Sequence, residues 1–246
     1  MKVAAYQAPL AAAALTETVE LIREQVRVCE SIGVEILCCP EAALGGLADY
    51  AADPNWIAIS VDTGQLQSVL APIASDKVTT IVGVTEAGRN GLIYNSAAIY
   101  HRGAVIGIYR KLHPAINKSV YSAGLEMPVF KVGGLTFGII ICNDSNYREP
   151  ARVMSSKGAT ALFVPSNNGL PPSKAGPELV EQTRKVDVAR AVENGVHIVR
   201  ADVAGHFDGR TSYGSSEIVS PGGTILQSAR QLGSDLIVAG IKTAVL

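Results

Sequence analysis

The spacing of apolar and polar residues near the start of the chain predicts a strand, a helix and a second strand. Residues 2–7 are mostly apolar and extended in character, and residues 16–31 carry apolar side chains at helical spacing. Thr16 is predicted to cap this helix and Gly33 to end it. Residues 34–39 then form an apolar run that stops at Pro40, which is typical of a buried strand. The opening is therefore predicted to be a βαβ unit.

The rest of the chain predicts a three-stranded meander followed by alternating strands and helices. A tight turn at Gly133-Gly134 is predicted to join two strands as a hairpin. This order favours an α/β fold with a mixed sheet covered by helices, in a single domain of residues 1–246. The predicted strands are 79–85, 92–100, 104–109, 135–142, 160–164, 196–201, 216–219 and 236–239, and the predicted helices are 147–157 and 176–193.

Composition and charge narrow the class of protein. Hydrophobic residues make up 48% of the 246 residues and charged residues 17%, which fits a soluble globular protein. The formal net charge is −1, with no long basic run, so neither nucleic acid nor a membrane surface is an expected partner. The first residues lack the layout of a signal peptide, and no apolar run approaches a membrane span, so a cytoplasmic location is expected.

The cysteines favour free thiols over a metal site. The chain has four of them, Cys29, Cys38, Cys39 and Cys142, with no CxxC spacing and no histidine at ligand spacing. No metal and no other cofactor is expected. Cys29, Cys38 and Cys39 are predicted to be core residues.

Three chemically distinct side chains follow predicted strands. Glu41 comes after the strand that ends at Pro40, Lys111 follows the third strand of the meander, and Cys142 ends a further apolar run. A thiol is mostly protonated at neutral pH and needs a base or a nearby cation to act as a nucleophile. A carboxylate, an ammonium and a thiol at one rim of a sheet would supply this chemistry. The alternative is a solvated carboxylate and a thiol that only fills space in the core.

The residues around all three positions resemble the nitrilase superfamily of carbon-nitrogen hydrolases. Further landmarks of that family are matched near both ends, in order and over essentially the whole chain. The matching segments are Gln7-Ala8-Pro9, Cys38-Cys39-Pro40-Glu41, Tyr109-Arg110-Lys111-Leu112-His113, the run from Ile141 to Glu149, Arg190-Ala191-Val192-Glu193-Asn194, and Gly214-Ser215-Ser216 with Pro221-Gly222-Gly223.

The resemblance implies a fold, a reaction and roles for particular residues. The fold would be an α-β-β-α four-layer sandwich, commonly found as a homodimer. Cys142 would be the nucleophile, Glu41 the general base and Lys111 the group that stabilises the tetrahedral intermediate. The backbone N–H of Asn143 would be a second oxyanion donor. The reaction would attack an amide or nitrile carbon and hydrolyse the resulting thioester.

Several other polar residues near these motifs could contact substrate or have a structural role. Asn167 and Asn168 follow a predicted strand at the same rim, so they are expected either to contact substrate or to cap a loop. His113 could act as a base for Cys142, although the resemblance makes it a structural loop residue. Asp144 is expected to bond backbone N–H groups. Arg190, Glu193 and Asn194 are also expected to be structural.

The chain departs from the family pattern at two places. Relatives often carry a second glutamate after the catalytic lysine, whereas the segment from Leu112 to Gly124 contains no carboxylate. Asn117 occupies the corresponding place, and Glu126 is expected to have a different role. The usual Phe-Pro pair after the cysteine is replaced by Tyr147-Arg148. Both departures affect the expected substrate more than the nucleophile.

A small linear amide is the expected substrate, with ammonia released. The compact length favours amides over nitriles by family analogy only. N-carbamoyl amino acids and nitriles are the alternatives within this class, and a catalytically inactive binding or regulatory module of the same fold is the alternative outside it. A carboxylate-bearing substrate would need a positively charged pocket, for which Lys118, Lys174 and Arg200 are the candidates.

Overall fold

The computed structural model describes residues 1–11 and 14–243, which form two β-sheets with helices on their outer faces. The strands are β1 Lys2–Pro9, β2 Ile36–Cys38, β3 Ile59–Ser60, β4 Thr79–Ala87, β5 Ile93–His101, β6 Ala104–Arg110, β7 Phe130–Val132, β8 Leu135–Ile139, β9 Ala161–Pro165, β10 His197–Ala201, β11 Val203–Phe207, β12 Arg210–Ser212, β13 Glu217–Val219, β14 Ile225–Ser228 and β15 Asp235–Gly240. The helices are α1 Leu15–Ile32, α2 Pro54–Ile57, α3 Gln65–Leu70, α4 Arg148–Ser156 and α5 Pro177–Asn194.

Both sheets are mixed, and parallel strands lie at the centre of each. The first has the order β12-β11-β1-β2-β4-β5-β6, with β15 paired to β1 and β3 paired to β4. The second has the order β14-β13-β10-β9-β8-β7. Because β2 and β4 are parallel and β6 returns to their direction through the meander, their C-terminal ends share one edge. The parallel strands β8, β9 and β10 likewise end together.

The two sheets pack face to face, and helices cover both outer faces. Ile81 of the first sheet and Phe163 of the second belong to one buried apolar cluster, which also includes Met154 of α4 and Ala191 of α5. Helix α1 packs on the outer face of the first sheet through Ile22 and Val26. This confirms the α-β-β-α arrangement that the family resemblance implies.

Strand β1 shows how the sequence builds two cores from one strand. Val3 and Ala5 point into the cluster between the sheets, whereas Ala4 and Tyr6 point into the cluster beneath α1. Successive side chains of a strand point to opposite faces, so a strand buried on both faces is apolar throughout instead of alternating. The apolar run near the start of the chain is explained by this double burial.

Several element boundaries differ from the sequence-based predictions. Helix α1 begins at Leu15 and its N-cap is Ala14, not Thr16, because the Glu17 carboxylate accepts the backbone N–H of Ala14 at 3.2 Å and starts the helix earlier. Gly33 ends the helix in the left-handed conformation, as predicted. The strand predicted to reach Cys142 stops at Ile139. Sequence periodicity missed the short strands β3, β11, β12 and β14 and the short helices α2 and α3. The hairpin predicted at Gly133-Gly134 is confirmed, because this turn joins β7 to β8.

Within residues 1–11 and 14–243, none of the helices has the length and apolar character needed to cross a membrane.

Candidate active site

Glu41 lies directly after β2 and accepts hydrogen bonds from three different parts of the chain. Its Oε1 accepts from Lys111 Nζ at 2.6 Å and from Asn95 Nδ2 at 2.8 Å, and its Oε2 accepts from the backbone N–H of Asn167 at 2.9 Å. The side chain is almost completely buried. All three partners are hydrogen-bond donors, so they hold the Glu41 carboxylate in one orientation.

Lys111 follows β6, and both its backbone and its side-chain ammonium are hydrogen-bonded. Its backbone N–H donates to the carbonyl of Asn95 at 2.8 Å, and its ammonium contacts Glu41. Burial is the largest single effect and acts to lower the pKa of Lys111, but the charge of Glu41, the hydrogen bond to it and the nearby Cys142 and Asp144 together outweigh burial, so the pKa lies above its ordinary value. Lys111 is therefore a fixed buried cation at the end of the strand.

Cys142 is the first residue of a 3₁₀ turn that spans Cys142–Asn146. Its φ of 43° is in the left-handed region, which costs a residue with a Cβ about 1–2 kcal/mol. The turn is stabilised by Ser145 Oγ, which donates to the Cys142 carbonyl at 2.7 Å. The Cys142 side chain is partly exposed and its Sγ lies 3.9 Å from Asn168 Oδ1. The strained turn thus directs the thiol towards the rim where Glu41 and Lys111 lie.

The charges around the Cys142 thiol act in opposite directions. Burial raises the pKa of Cys142 to about 12, and the Glu41 carboxylate raises it further, whereas Lys111 and Arg200 lower it. A thiol with this pKa is protonated at neutral pH and depends on a base when it attacks. Among the charged groups, Glu41 has the largest effect on this thiol.

Asn168 presents its carbonyl oxygen towards the thiol because its other polar atoms are already engaged. Its Nδ2 donates to Asp202 Oδ2 at 2.9 Å and to Ser215 Oγ at 3.1 Å, and its backbone N–H donates to Asp202 Oδ1 at 3.0 Å. Asp202 is completely buried. The side-chain amide of Asn168 therefore cannot rotate without breaking this network, and its Oδ1 is left as an acceptor beside Cys142.

Asn143 contributes its main chain to the rim, while its side chain braces the neighbouring loop. Its Nδ2 donates to the His113 carbonyl at 3.1 Å, and its Oδ1 accepts from Asn146 Nδ2 at 3.0 Å. The N–H groups in the first turn of a helix have no acceptor within the helix. The backbone N–H of Asn143, directly after Cys142 in this first turn, is such a group.

The loops on either side of Cys142 are tied together by Asp144. Its carboxylate accepts the backbone N–H groups of His113 at 2.8 Å and Ile141 at 3.0 Å and the Tyr109 hydroxyl at 2.8 Å, which is the structural role predicted. The His113 ring stacks on Tyr147 with centroids 3.7 Å apart. Tyr147, which stands where the family has phenylalanine, thus stacks on the loop that follows Lys111.

The segment after Lys111 places no carboxylate against the ammonium. Asn117 and Glu126 are both exposed. The acidic groups that raise the pKa of Lys111 are Glu41, then the Cys142 thiol and, more weakly, Asp144. The buried Glu41 carboxylate is thus the main counter-charge of the lysine.

The prediction that Arg200 could bind a substrate carboxylate is wrong. The guanidinium is buried and bonded to Asp187, with Nε to Oδ2 at 2.5 Å and Nη2 to Oδ1 at 2.6 Å, so it serves inside the protein. Lys118 and Lys174 are exposed. The side chain of Arg200 lies beneath the site instead of lining it.

A large cavity adjoins this rim. It has a volume of about 640 Å³ and is bounded mainly by apolar side chains of α1 and of the segments around Leu47, Trp56 and Phe207. Glu41 and Asn167 form part of its wall, but Lys111 and Cys142 do not. The cavity is therefore a neighbour of the reacting groups and reaches them on the Glu41 side.

Sequence reasoning missed two residues that hold the site together. Asn95 of β5 bonds Glu41 through its side chain and Lys111 through its carbonyl, and Asp202 fixes Asn168. Both are polar residues next to or within apolar runs that were predicted as strands. A buried polar group requires a partner, so a polar residue inside an apolar strand was the available signal.

We expect low concentrations of iodoacetamide to label Cys142 before the other thiols. Cys29, Cys38 and Cys39 are completely buried, and burial raises the pKa of each of them, whereas Cys142 is partly exposed. Because the Cys142 pKa is raised to about 12, its labelling rate should still increase as the pH rises from 7 to 10. Peptide mass spectrometry of samples quenched at short times measures both effects. Earlier labelling of Cys29 would contradict the accessibility of Cys142.

The fold and the carboxylate, ammonium and thiol at one rim define a carbon-nitrogen hydrolase. The family model for carbon-nitrogen hydrolases matches residues 2–246, and the chain belongs to that family. No cluster of histidine, cysteine or acidic side chains that could hold a metal ion occurs in the described ranges.

Individual relatives include enzymes described as nitrilases and as amidases. The chain is 30% identical over 187 residues to a nitrilase of Pyrococcus abyssi, covering 75% of this chain and 68% of that protein. It is 28% identical over 153 residues to the 2-oxoglutaramate amidase of Bacillus subtilis, covering 61% of this chain and 56% of that enzyme.

Solved structures of an amidase from Nesterenkonia sp. AN1 share the fold. One superposes with a TM-score of 0.83 at 22% identity, over 98% of this chain and 93% of that one. Another, at 23% identity and a TM-score of 0.81, is of a variant with acrylamide added at its active-site cysteine.

Proposed function

We propose that this protein is an amidase that hydrolyses small linear primary amides through a thioester on Cys142 and releases ammonia. The observation that carries the proposal is the buried Glu41–Lys111 pair, with Nζ and Oε1 2.6 Å apart, whose charges both act on the partly exposed Cys142 thiol. One pair thus supplies a base for the thiol and a cation for the charge that develops on the substrate.

In the first half-reaction Glu41 takes the thiol proton as Sγ attacks the carbonyl carbon. The electron pair of the carbonyl moves onto oxygen, where Lys111 Nζ and the backbone N–H of Asn143 stabilise the negative charge. As the tetrahedral intermediate collapses, Glu41 returns its proton to the leaving nitrogen. The C–N bond breaks, ammonia leaves, and the acyl group remains on Cys142.

In the second half-reaction water replaces ammonia. Glu41 removes a proton from the water as its oxygen attacks the thioester carbon, and the same two donors stabilise the second tetrahedral intermediate. Collapse releases the carboxylic acid and returns the proton to the Cys142 sulfur. The same three side chains serve both halves.

Asn168 favours an amide over a nitrile. Its Nδ2 is committed to Asp202 and Ser215, so it offers an acceptor, Oδ1, beside the thiol. A primary amide has N–H groups to donate to that oxygen, and a nitrile nitrogen has none. A site built to accept such a donor discriminates against an analogue that lacks it.

The test is ammonia release from matched pairs of substrates. Short primary amides, nitriles with the same carbon skeletons and N-carbamoyl amino acids are offered to the purified protein, with and without prior dialysis against EDTA. We expect release from amides, much less from the nitriles, and no effect of the chelator. Nitrile turnover equal to amide turnover would contradict the role of Asn168. Absence of turnover on every class would favour the inactive binding module.

The homodimer, the cytoplasmic location and the single-domain organisation remain predictions. Sedimentation equilibrium of the purified chain tests the first.

A further inference from the structure

A completely buried ion pair lies beneath the reacting groups and has no part in the mechanism above. Arg200 of β10 is 2% exposed and Asp187 of α5 is 0% exposed, and the guanidinium meets the carboxylate through two parallel hydrogen bonds. Replacing such a pair by apolar residues of similar volume is often neutral or stabilising. Stability alone therefore does not explain why a charge pair occupies this position.

The remaining N–H groups of Arg200 connect it to the nucleophile. Nη2 donates to Ser145 Oγ at 3.0 Å, and the same hydroxyl donates to the Cys142 carbonyl at 2.7 Å. A serine hydroxyl has one hydrogen to donate, so the bond received from Arg200 directs that hydrogen towards Cys142. This relay reaches the residue whose backbone is in the unfavourable left-handed conformation.

A second relay reaches the base. Arg200 Nη1 donates to Ser166 Oγ, and the Ser166 carbonyl accepts the backbone N–H of Glu41 at 3.2 Å. The next residue, Asn167, donates its backbone N–H to Glu41 Oε2. One guanidinium is thus bonded to the two serines that hold the nucleophile turn and the base loop.

The charge of Arg200 also acts on the thiol itself. It lowers the pKa of Cys142, in the same direction as Lys111 and against the effects of burial and of Glu41. Arg200 is therefore a cation of the thiol environment that does not itself face substrate.

We propose that Arg200, held by Asp187, is a positioning residue for amide hydrolysis: it fixes the Cys142 turn through Ser145 and the Glu41 loop through Ser166 while keeping a positive charge beneath the thiol. The proposal rests on the proposed amidase function for its kinetic readout. It does not rest on that function for its chemical readout, which is the pH dependence of Cys142 alkylation.

The first test removes both charges together. The double variant Asp187→Leu/Arg200→Met leaves no unpaired buried charge, so it is expected to fold with a melting temperature near that of the wild type. We expect kcat for an amide to fall by up to about 10²-fold, the scale of a small misplacement of reacting groups, with little change in KM. The pH profile of Cys142 alkylation should also shift to higher pH than in the wild type, because the positive charge that lowers the pKa of the thiol is gone.

Two further variants separate position from charge. Arg200→Lys keeps the charge but cannot make the same parallel bonds and both serine contacts, so it should restore the pH profile of alkylation more fully than kcat.

Ser145→Ala removes one relay and keeps the ion pair, so it should lower kcat with little change in the pH profile. The double variant Arg184→Met/Glu217→Gln is the control, because it also removes both charges of a pair between α5 and a buried acid, and Arg184 has no contact with Ser145 or Ser166. The kcat of this control should stay within about twofold of wild type.

The outcomes distinguish the two proposals. A folded double variant with wild-type kcat and an unchanged alkylation profile would overturn the role of Arg200. If the double variant does not fold, Ser145→Ala decides, since wild-type kcat in that variant would overturn the role and a loss would support it. If the wild type hydrolyses no amide, the proposed function fails, and the alkylation profile of the Arg200 variants still tests the positioning role.

Discussion

Replacement of Glu41 by glutamine is expected to lower amide turnover by about 10²- to 10⁴-fold, the usual effect of losing a general base. Glutamine retains an oxygen that can accept from Lys111 Nζ and Asn95 Nδ2. Its Nε2, however, would face the backbone N–H of Asn167, where Glu41 Oε2 accepts at 2.9 Å, so a donor would meet a donor. The variant therefore loses both the proton acceptor and one fixed contact. Ammonia release under saturating amide measures the effect.

The same substitution should make the Cys142 thiol easier to alkylate, although it lowers amide turnover. The Glu41 carboxylate raises the pKa of Cys142, so its removal should lower that pKa and speed alkylation at neutral pH. Where acylation is impaired less than deacylation, an acyl adduct should accumulate on the peptide that contains Cys142. Glu126→Gln is the matched control, since Glu126 is an exposed carboxylate close in sequence to the lysine loop. Near-normal turnover in Glu41→Gln would make His113 the next base to test.

Replacement of Lys111 by methionine is expected to lower turnover by roughly 10²- to 10³-fold, as for the loss of an oxyanion donor. Methionine is similar in length to the lysine stem but lacks the ammonium, so the tetrahedral intermediate loses its cation. Glu41 would keep its bonds from Asn95 and Asn167 but would be a buried carboxylate without a counter-charge. Removing one partner of a buried ion pair destabilises by about 3–5 kcal/mol, so thermal unfolding is measured beside turnover.

The alkylation profile separates Lys111 from Glu41. The Lys111 charge lowers the pKa of Cys142, so Lys111→Met should raise it and slow alkylation, whereas Glu41→Gln should speed alkylation. Lys174→Met, at an exposed position, is the control for removing a lysine. Alkylation that is faster in Lys111→Met than in wild type would contradict the placement of the ammonium beside the thiol.

The positions of Glu41, Lys111 and Cys142 could be anticipated because each follows a strand that local periodicity detects. Their mutual contacts could not. Glu41 meets partners 54, 70 and 126 residues away in sequence, which a periodic pattern does not encode. Their positions after strands suggested a shared rim, and the family resemblance then assigned the three side chains to one catalytic group.

Arg200 and Asp187 were harder to interpret because a charged residue on a strand or a helix is usually exposed to solvent. A charge within the apolar strand run 196–201 was available as a signal, and so was an acidic residue on the helix 176–193, but each is explained alone by solvent exposure. Only the pairing of α5 against β10 places the two charges together inside the protein. The short strands β3 and β12 were missed for a similar reason, since two or three residues carry too little pattern without their partners.

Ammonia release by a folded Cys142→Ala variant tests whether Cys142 forms the bond to substrate. We expect release at the level of buffer alone from an amide that the wild type hydrolyses, because no other described thiol is accessible at the rim. Cys38→Ala, a change at a buried core thiol, should retain turnover if it folds. Turnover by Cys142→Ala within about tenfold of wild type would show that Cys142 is not the nucleophile.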